Sequence, residues 1–196
     1  MKTILYLHGF AGSGASGTAA SMRNALYGQG VQVVAPDIPV MPADAMTFLH
    51  RQVEAQAPDL IVATSMGAMY AEQLRGHLRI LVNPSFCMAR LLTFGGMGRK
   101  PFRNPRQDGA KDFKVDKEMI AQFREVEKHS FEGITPQDRD LVYGLFGDHD
   151  KRVNCQPQYK KAYGSGHFAL FDGEHYLNDT VLHRAVLPLV KQLLPL

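Results

Sequence analysis

Three polar residues of the chain have the types and the order of a serine nucleophile with its acid and its base. Ser65 lies in the segment ATSMG (63–67), Asp150 in a later loop, and His175 towards the carboxyl end. A serine hydroxyl is inert near neutral pH unless a base takes its proton, and that base needs an acid to hold it in one tautomer. The three residues therefore predict acyl transfer through a covalent intermediate, provided that the fold brings them together.

The sequence around Ser65 has the pattern of a nucleophile elbow, G-x-S-x-G, with alanine at the first glycine. An apolar strand-like run precedes Ser65 and a helical pattern follows it, so we expect a strand-to-helix junction there. The tight turn brings the positions two before and two after the serine against neighbouring backbone, and Ala63 and Gly67 are small enough. The alternative is that Ser65 only caps the following helix.

The acid and then the base are expected just beyond the carboxyl ends of later strands. Asp150 and His175 each follow an apolar run, in that order. We favour Asp150 over Asp148, because Asp148 begins the loop too soon after the strand, whereas Asp150 has room to turn inward. His167 precedes the last strand, so we expect it at the edge of the sheet opposite Ser65.

The segment GFAGSGASGTAAS (9–21) raises a competing interpretation. Its glycines Gly12, Gly14 and Gly17 follow an apolar run, and Asp37 comes about twenty residues later, as in a dinucleotide-binding fingerprint. Two details count against that interpretation. Three residues separate the strand from the first glycine of the motif, and Pro36 breaks the strand just before Asp37.

An oxyanion loop explains the same glycines better. Acyl transfer needs backbone N–H groups aimed at the developing oxyanion. Met66 N–H, directly after the nucleophile, is one candidate, and Phe10 N–H on the loop after the first strand is the second. Gly9 permits the turn, and we expect His8 to support the loop rather than perform chemistry.

Short apolar runs alternate with helical patterns along the chain. Strands are predicted at 3–8, 31–36, 59–65, 79–84, 140–147 and 167–173, and helices near 16–28, 42–57, 66–76, 154–163 and 178–194. The runs are too continuously apolar for a sheet with one wet face. The pattern predicts an α/β fold, an open, mostly parallel sheet of about six strands with helices on both faces.

One connection is much longer than the others. We expect residues 1–196 to form one domain that contains residues 85–139 as a lid-like insert, loop-like in its first half and helical in its second. Its apolar side chains could line an acyl pocket or pack the insert on the sheet, and packing is the favoured interpretation. They are Phe86, Leu91, Leu92, Phe94, Met97 and Phe102.

Composition indicates an ordinary globular domain, with 45% hydrophobic and 21% charged residues. No apolar run is long enough to span a bilayer, and the amino terminus resembles a first strand rather than a signal peptide. Cys87 and Cys155 indicate neither a disulfide framework nor a zinc site. We therefore expect a cytoplasmic protein; the oligomeric state is not readable.

The formal net charge of +3 falls entirely within residues 84–139. Arg99, Lys100, Arg103 and Arg106 form its densest part, which is either a solvated loop or a patch that attracts an anionic substrate. The charge is too small and too local to indicate nucleic-acid binding.

These motifs, in their order, resemble the α/β-hydrolase superfamily, and within it the small bacterial YqiA-like serine esterases. The resemblance rests on LHGF (7–10), APDIP (35–39), SMG (65–67), VNP (82–84), the pattern Gly147-x-x-Asp150-x-x-Val153, and His175. It covers nearly the whole chain and is weakest in the insert. It implies a hydrolase of carboxylic esters or thioesters that needs no cofactor.

The sequence therefore predicts a serine hydrolase of a small-molecule acyl substrate, with Ser65 as nucleophile, His175 as base and Asp150 as the orienting acid. The alternative is a hydrolase-fold protein that no longer catalyses and binds a small ligand or a partner. A nucleotide-dependent oxidoreductase is the third interpretation. Related chemistries that use the same residues, such as C–C bond hydrolysis and perhydrolysis, stay open.

Overall fold

The computed structural model describes residues 1–195. Its strands are β1 (Lys2–Leu7), β2 (Val31–Val34), β3 (Leu60–Thr64), β4 (Arg79–Val82), β5 (Gly98–Pro101), β6 (Asp112–Val115), β7 (Val142–Gly147) and β8 (Phe168–Phe171). Its helices are α1 (Gly17–Ala25), α2 (Pro42–Gln56), α3 (Met66–Gln73), α4 (Met88–Gly95), α5 (Lys117–Lys128), α6 (Pro136–Asp140), α7 (Gln156–Tyr163), α8 (Asp179–Val181) and α9 (Leu187–Leu193), with a π-helical turn (Leu182–Val186) before α9. Within the described residues, no helix is both long and apolar enough to cross a membrane.

Six parallel strands form the main sheet in the order β2-β1-β3-β4-β7-β8. Both of its faces are covered, as the continuous apolar runs predicted. Alternate residues of β1 show this, because Leu5 and Leu7 pack with α2 and α3 on one face. Ile4 and Tyr6 pack with α1 and the carboxyl-terminal helices on the other face. The predicted fold class is confirmed.

The strand order reverses between β1 and β3. From β1 the chain moves outward to β2, and then crosses back to place β3 on the other side of β1. The loops that follow β1 and β3 therefore run in opposite directions, which opens a crevice at the carboxyl ends of these strands. The loop after β1 and the β3–α3 junction, with Ser65, lie at this crevice.

Residues 85–139 are more regular than the sequence predicted. The half predicted as loop-like contains α4 and an antiparallel hairpin, β5–β6, and α6 was also not predicted. The hairpin carries a weak sequence signal, since only Phe113 and Val115 of its residues are buried. The predicted helical half forms α5, whose amino end is capped by Asp116 through Met119 N–H at 3.1 Å. That this insert acts as a lid stays a prediction.

Candidate active site

Ser65 has an unusual backbone conformation at the junction of β3 and α3. Its φ of 52° and ψ of −116° are rarely adopted by a residue other than glycine. The surroundings enforce this turn, because Gly67 packs directly against the backbone that follows β1. A Cβ atom at position 67 would lie 2.5 Å from Leu7 O and 2.6 Å from His8 O. Ala63 is fully buried in β3, so the two positions predicted to need small residues are both tightly packed.

Ser65, His175 and Asp150 are joined by hydrogen bonds. Ser65 Oγ lies 2.9 Å from His175 Nε2, and His175 Nδ1 lies 2.7 Å from Asp150 Oδ2. An ionised carboxylate only accepts hydrogen bonds, so Nδ1 carries the proton that His175 donates to Asp150. Nε2 is then the acceptor that faces the Ser65 hydroxyl. Both the His175 and the Asp150 side chains are almost fully buried.

The loop after β7 fixes the Asp150 carboxylate. Its Oδ1 atom accepts the N–H groups of Arg152 at 2.8 Å and Val153 at 3.0 Å, which leaves Oδ2 for His175. Asp148 has a different partner, since its Oδ1 accepts Gly173 N–H at 3.1 Å. Of the two aspartates, Asp150 is therefore the one that contacts His175.

Asn83, at the carboxyl end of β4, holds the His175 loop in place. Its Oδ1 accepts Gly147 N–H at 2.7 Å, and its Nδ2 donates to Glu174 O at 2.9 Å and to His175 O at 3.0 Å. Sequence reasoning gave Asn83 no role. The available signal was a polar residue directly after a central strand, at the edge where Ser65 was expected.

Ser85 is a second residue that sequence reasoning missed. It is fully buried, its Oγ lies 3.1 Å from Ser65 Oγ, and its N–H donates to Ser65 O at 3.2 Å. Ser85 therefore contacts both the backbone and the hydroxyl of Ser65. One of the two hydroxyls donates to the other, and if Ser65 donates to His175, Ser85 is the donor to Ser65.

The loop after β1 approaches Ser65 closely. A Cβ atom on Gly9 would lie 3.3 Å from Ser65 Cβ, so glycine permits this approach. Within residues 1–195, neither Phe10 N–H nor Met66 N–H donates a hydrogen bond to another part of the chain. These two backbone donors thus have no hydrogen-bond partner among the described residues, and their role as oxyanion donors stays a prediction.

His8 supports this loop from the interior. Its Nδ1 lies 2.9 Å from Gly9 O, and its Nε2 accepts Ile38 N–H at 3.0 Å. These partners require a neutral ring with its proton on Nδ1. Burial lowers the pKa of His8, in agreement with that neutral form.

The glycine-rich segment is tied to its neighbours by Asp37. One carboxylate oxygen accepts Gly14 N–H at 2.7 Å, and the other accepts Gln107 N–H at 2.7 Å. The Ala35 carbonyl occupies the space that a side chain on Gly14 would need. Asp37 thus uses both oxygens within the protein, in place of the ribose contact of a dinucleotide site. Gly12 closes a turn on Gly9 O at 3.0 Å, and Gly17 begins α1.

A cleft of about 470 Å³ opens beside Ser65. Hydroxyl and imidazole groups of Ser65, Ser85 and His175 lie in its wall, and α4 adds an apolar portion. Two arginines, Arg103 and Arg152, reach the same cleft. The apolar lining comes mainly from Met88, Leu91 and Leu92 of α4 together with Phe10, Val153 and Leu177.

The insert residues considered as acyl-pocket candidates have different surroundings. Leu91 and Leu92 line the cleft. Phe86 packs on Phe131 at 4.6 Å between ring centroids, and Phe102 packs on Phe113 at 4.8 Å. Phe94 and Met97 are exposed, and they neither line the cleft nor pack the insert on the sheet.

One cluster of possible metal ligands lies outside the cleft. Asp148, His149 and Asp172 place their ligand atoms within 4.8 Å of one another, and all three are exposed. None of them lines the cleft beside Ser65. Cys87 and Cys155 are both free thiols.

Comparisons with known proteins agree with this architecture. Residues 3–161 match the Uncharacterised protein family (UPF0227). Est1E from Butyrivibrio proteoclasticus is similar, with 16% identity, a TM-score of 0.62, and coverage of 98% of this chain and 88% of that one. Mouse alpha/beta hydrolase domain-containing protein 10 has 14% identity and a TM-score of 0.65, over 98% and 90% of the two chains.

A third similar structure is the thioesterase domain from the curacin biosynthetic pathway, with 18% identity, a TM-score of 0.57, and coverage of 98% and 90%. At such identities the likeness concerns the fold. The family match, in contrast, extends over most of the sequence, including Ser65 and Asp150. The chain therefore belongs to the UPF0227 family, and its fold is similar to that of α/β hydrolases.

Proposed function

We propose that this protein is a serine hydrolase that cleaves a carboxylic ester or thioester through an acyl-enzyme on Ser65. The observation that carries the proposal is the continuous hydrogen-bonded series from Ser65 Oγ to His175 to Asp150, at 2.9 and 2.7 Å. It lies at the wall of a cleft large enough for a small acyl substrate. The similar solved structure of the thioesterase domain from the curacin biosynthetic pathway adds support.

In the proposed reaction, Ser65 Oγ attacks the acyl carbonyl while its proton passes to His175 Nε2. The N–H groups of Phe10 and Met66 stabilise the negative charge on the tetrahedral intermediate. The intermediate collapses with cleavage of the bond to the leaving alcohol or thiol, which takes the proton from His175. Water, deprotonated by His175, then attacks the acyl-enzyme. The ester bond to Ser65 Oγ breaks, Ser65 Oγ takes the proton from His175, and the carboxylic acid is released. Asp150 stabilises the imidazolium at both stages.

The remaining residues of the site have supporting roles in this proposal. Gly9 and His8 shape the loop that presents Phe10 N–H. Ala63 and Gly67 allow the strained turn that exposes Ser65 Oγ. Each role follows from packing or hydrogen bonds rather than from contact with substrate.

Hydrolysis of a matched oxygen ester and thioester with the same butyryl group tests the proposal. We expect turnover of at least one by the unmodified protein, and a kcat lower by roughly 10⁴-fold or more in Ser65→Ala. Circular dichroism and thermal unfolding would verify that the variant is folded. Equal rates in the two proteins would exclude Ser65 as nucleophile. Failure of the folded protein to cleave esters of several acyl lengths would favour a non-catalytic binding protein.

A further inference from the structure

Arg103 and Arg152 are cations at the cleft whose guanidinium groups are hardly used by the protein. Within residues 1–195 neither forms an ion pair, whereas Arg99 pairs with Asp112 at 2.6 Å and Arg106 with Asp108 at 3.1 Å. A guanidinium has five N–H donors. One from Arg103 goes to Tyr176, and none from Arg152 goes to another described residue. Most of these donors therefore remain available to a ligand.

Tyr176 brings the two arginines together. Arg103 Cζ lies 4.5 Å and Arg152 Cζ 4.9 Å from the centroid of its ring, and Arg103 Nη2 donates to the Tyr176 hydroxyl at 2.7 Å. Both guanidiniums therefore lie close to one aromatic ring, where each gains cation–π attraction.

The backbones of both arginines are anchored to the candidate active site. Arg103 N–H donates to Ala11 O at 2.8 Å, on the loop after β1. Arg152 N–H donates to Asp150 Oδ1 at 2.8 Å. These bonds fix the points from which the two side chains extend, although the side chains themselves are exposed. The cations thus belong to the architecture of the cleft rather than to a free surface loop.

Their position next to His175 indicates which part of a substrate they would meet. Tyr176 directly follows His175, and the two ring centroids are 5.4 Å apart. Since His175 would protonate the leaving group, the leaving group must lie on the His175 side of the scissile bond. The apolar lining of α4 is then available to the acyl chain.

We propose that Arg103, Arg152 and Tyr176 bind a phosphate or carboxylate group carried by the leaving alcohol or thiol of the substrate. This proposal rests on the proposed hydrolase function and specifies its substrate class. A planar guanidinium suits a phosphate or a carboxylate, because it can donate hydrogen bonds to two oxygens of the anion at once.

Three butyrate esters that differ only in one substituent of the leaving phenol test it. Each carries a meta group, either a neutral carboxamide, a carboxylate or a phosphate. We expect kcat/KM to be about tenfold higher for an anionic ester than for the carboxamide, with the advantage decreasing as salt is added. The anionic ester with the higher kcat/KM identifies the preferred oxyanion.

Arginine variants connect that preference to the site. In Arg103→Gln and Arg152→Gln the ratio of anionic to neutral kcat/KM should each fall about threefold to tenfold. Arg99→Gln, which removes an arginine of the insert that does not line the cleft, is the matched control and should keep the ratio. A ratio near one in the unmodified protein, or a ratio that neither variant lowers, would overturn the proposal.

A binding measurement separates this proposal from the hydrolase function. Calorimetric titration of Ser65→Ala with the same three esters needs no turnover. Tighter binding of an anionic ester, lost when Arg103→Gln or Arg152→Gln is added, would support the subsite even if the unmodified protein cleaved nothing. Cleavage without any such preference in kinetics or binding would leave the hydrolase and remove the subsite.

Discussion

Asn83 and His175 are joined across two different loops by a hydrogen bond of 3.0 Å from Asn83 Nδ2 to His175 O. The same amide reaches Glu174 O and accepts Gly147 N–H. One side chain therefore connects the carboxyl ends of β4 and β7 with the loop that carries the proposed base. The backbone of Asn83 has a φ of 44°, in the left-handed region, where asparagine is better tolerated than most residues.

Replacing Asn83 by aspartate should impair the site and keep the backbone conformation. Aspartate also tolerates a positive φ, but its carboxylate cannot donate and would face two carbonyl oxygens. We expect ester-hydrolysis kcat to fall about 10- to 100-fold, because small displacements of a catalytic group are costly. Asn178→Asp is the control, since aspartate can also accept the Val181 N–H that Asn178 caps. An unchanged kcat in Asn83→Asp would contradict a positioning role.

The two aspartates after β7 should differ sharply in their effect. Asp150→Asn places an amide at His175 Nδ1 and favours the wrong tautomer, so kcat should fall by roughly 10⁴-fold. Asp148→Asn alters an exposed carboxylate that accepts Gly173 N–H and lies 3.6 Å from His149 Nε2, and it should cost much less. Measuring kcat for both variants tests this prediction. A larger loss of kcat in Asp148→Asn than in Asp150→Asn would show that the acid was assigned incorrectly.

The fold was readable from the sequence because both faces of the sheet are covered. Each of the six strands of the main sheet lies at one of the predicted strand positions. Because the sheet is parallel, the residues that follow β3, β7 and β8 lie at one edge, and these include Ser65, Asp150 and His175. The β5–β6 hairpin escaped detection because Gly98–Pro101 shows no apolar alternation. The catalytic roles of the three residues stay predictions.

Parts of the site depend on contacts that no local pattern encodes. Asn83 donates hydrogen bonds to the carbonyl oxygens of Glu174 and His175, which lie far from it in the sequence. Arg103, Arg152 and Tyr176 come from three different segments, and only the folded chain shows that they converge on one ring. The sequence identified a basic segment, but it could not separate Arg103 from neighbours that have carboxylate partners.

Gly67 should be indispensable for stability. A methyl group there would overlap the Leu7 and His8 carbonyl oxygens, so Gly67→Ala should lower the free energy of unfolding by about 2–4 kcal/mol. Gly17→Ala is the matched control. Gly17 has no atom within 4 Å of an added Cβ, and alanine favours a helix. Urea unfolding of both variants measures the difference, and equal stabilities would contradict the packing described here.

His8 should make the protein less stable in mild acid. Burial lowers its folded-state pKa below the unfolded value, which is about 6.5. The unfolded chain therefore binds the proton more readily, and stability is lost as the pH falls below about 6.5. In His8→Asn the free energy of unfolding should change less steeply between pH 7 and pH 5, as measured by urea unfolding. Identical slopes in the two proteins would argue against a buried neutral His8.

Labelling with a fluorophosphonate tests the central claim most directly. Such a probe reacts with a serine whose base and oxyanion donors are assembled, and peptide mass mapping identifies the modified residue. Ser85 lies 3.1 Å from Ser65 Oγ and provides an internal comparison. We predict modification at Ser65 alone, lost in His175→Ala. Absence of modification in the folded protein, or modification at Ser85 in place of Ser65, would contradict the account.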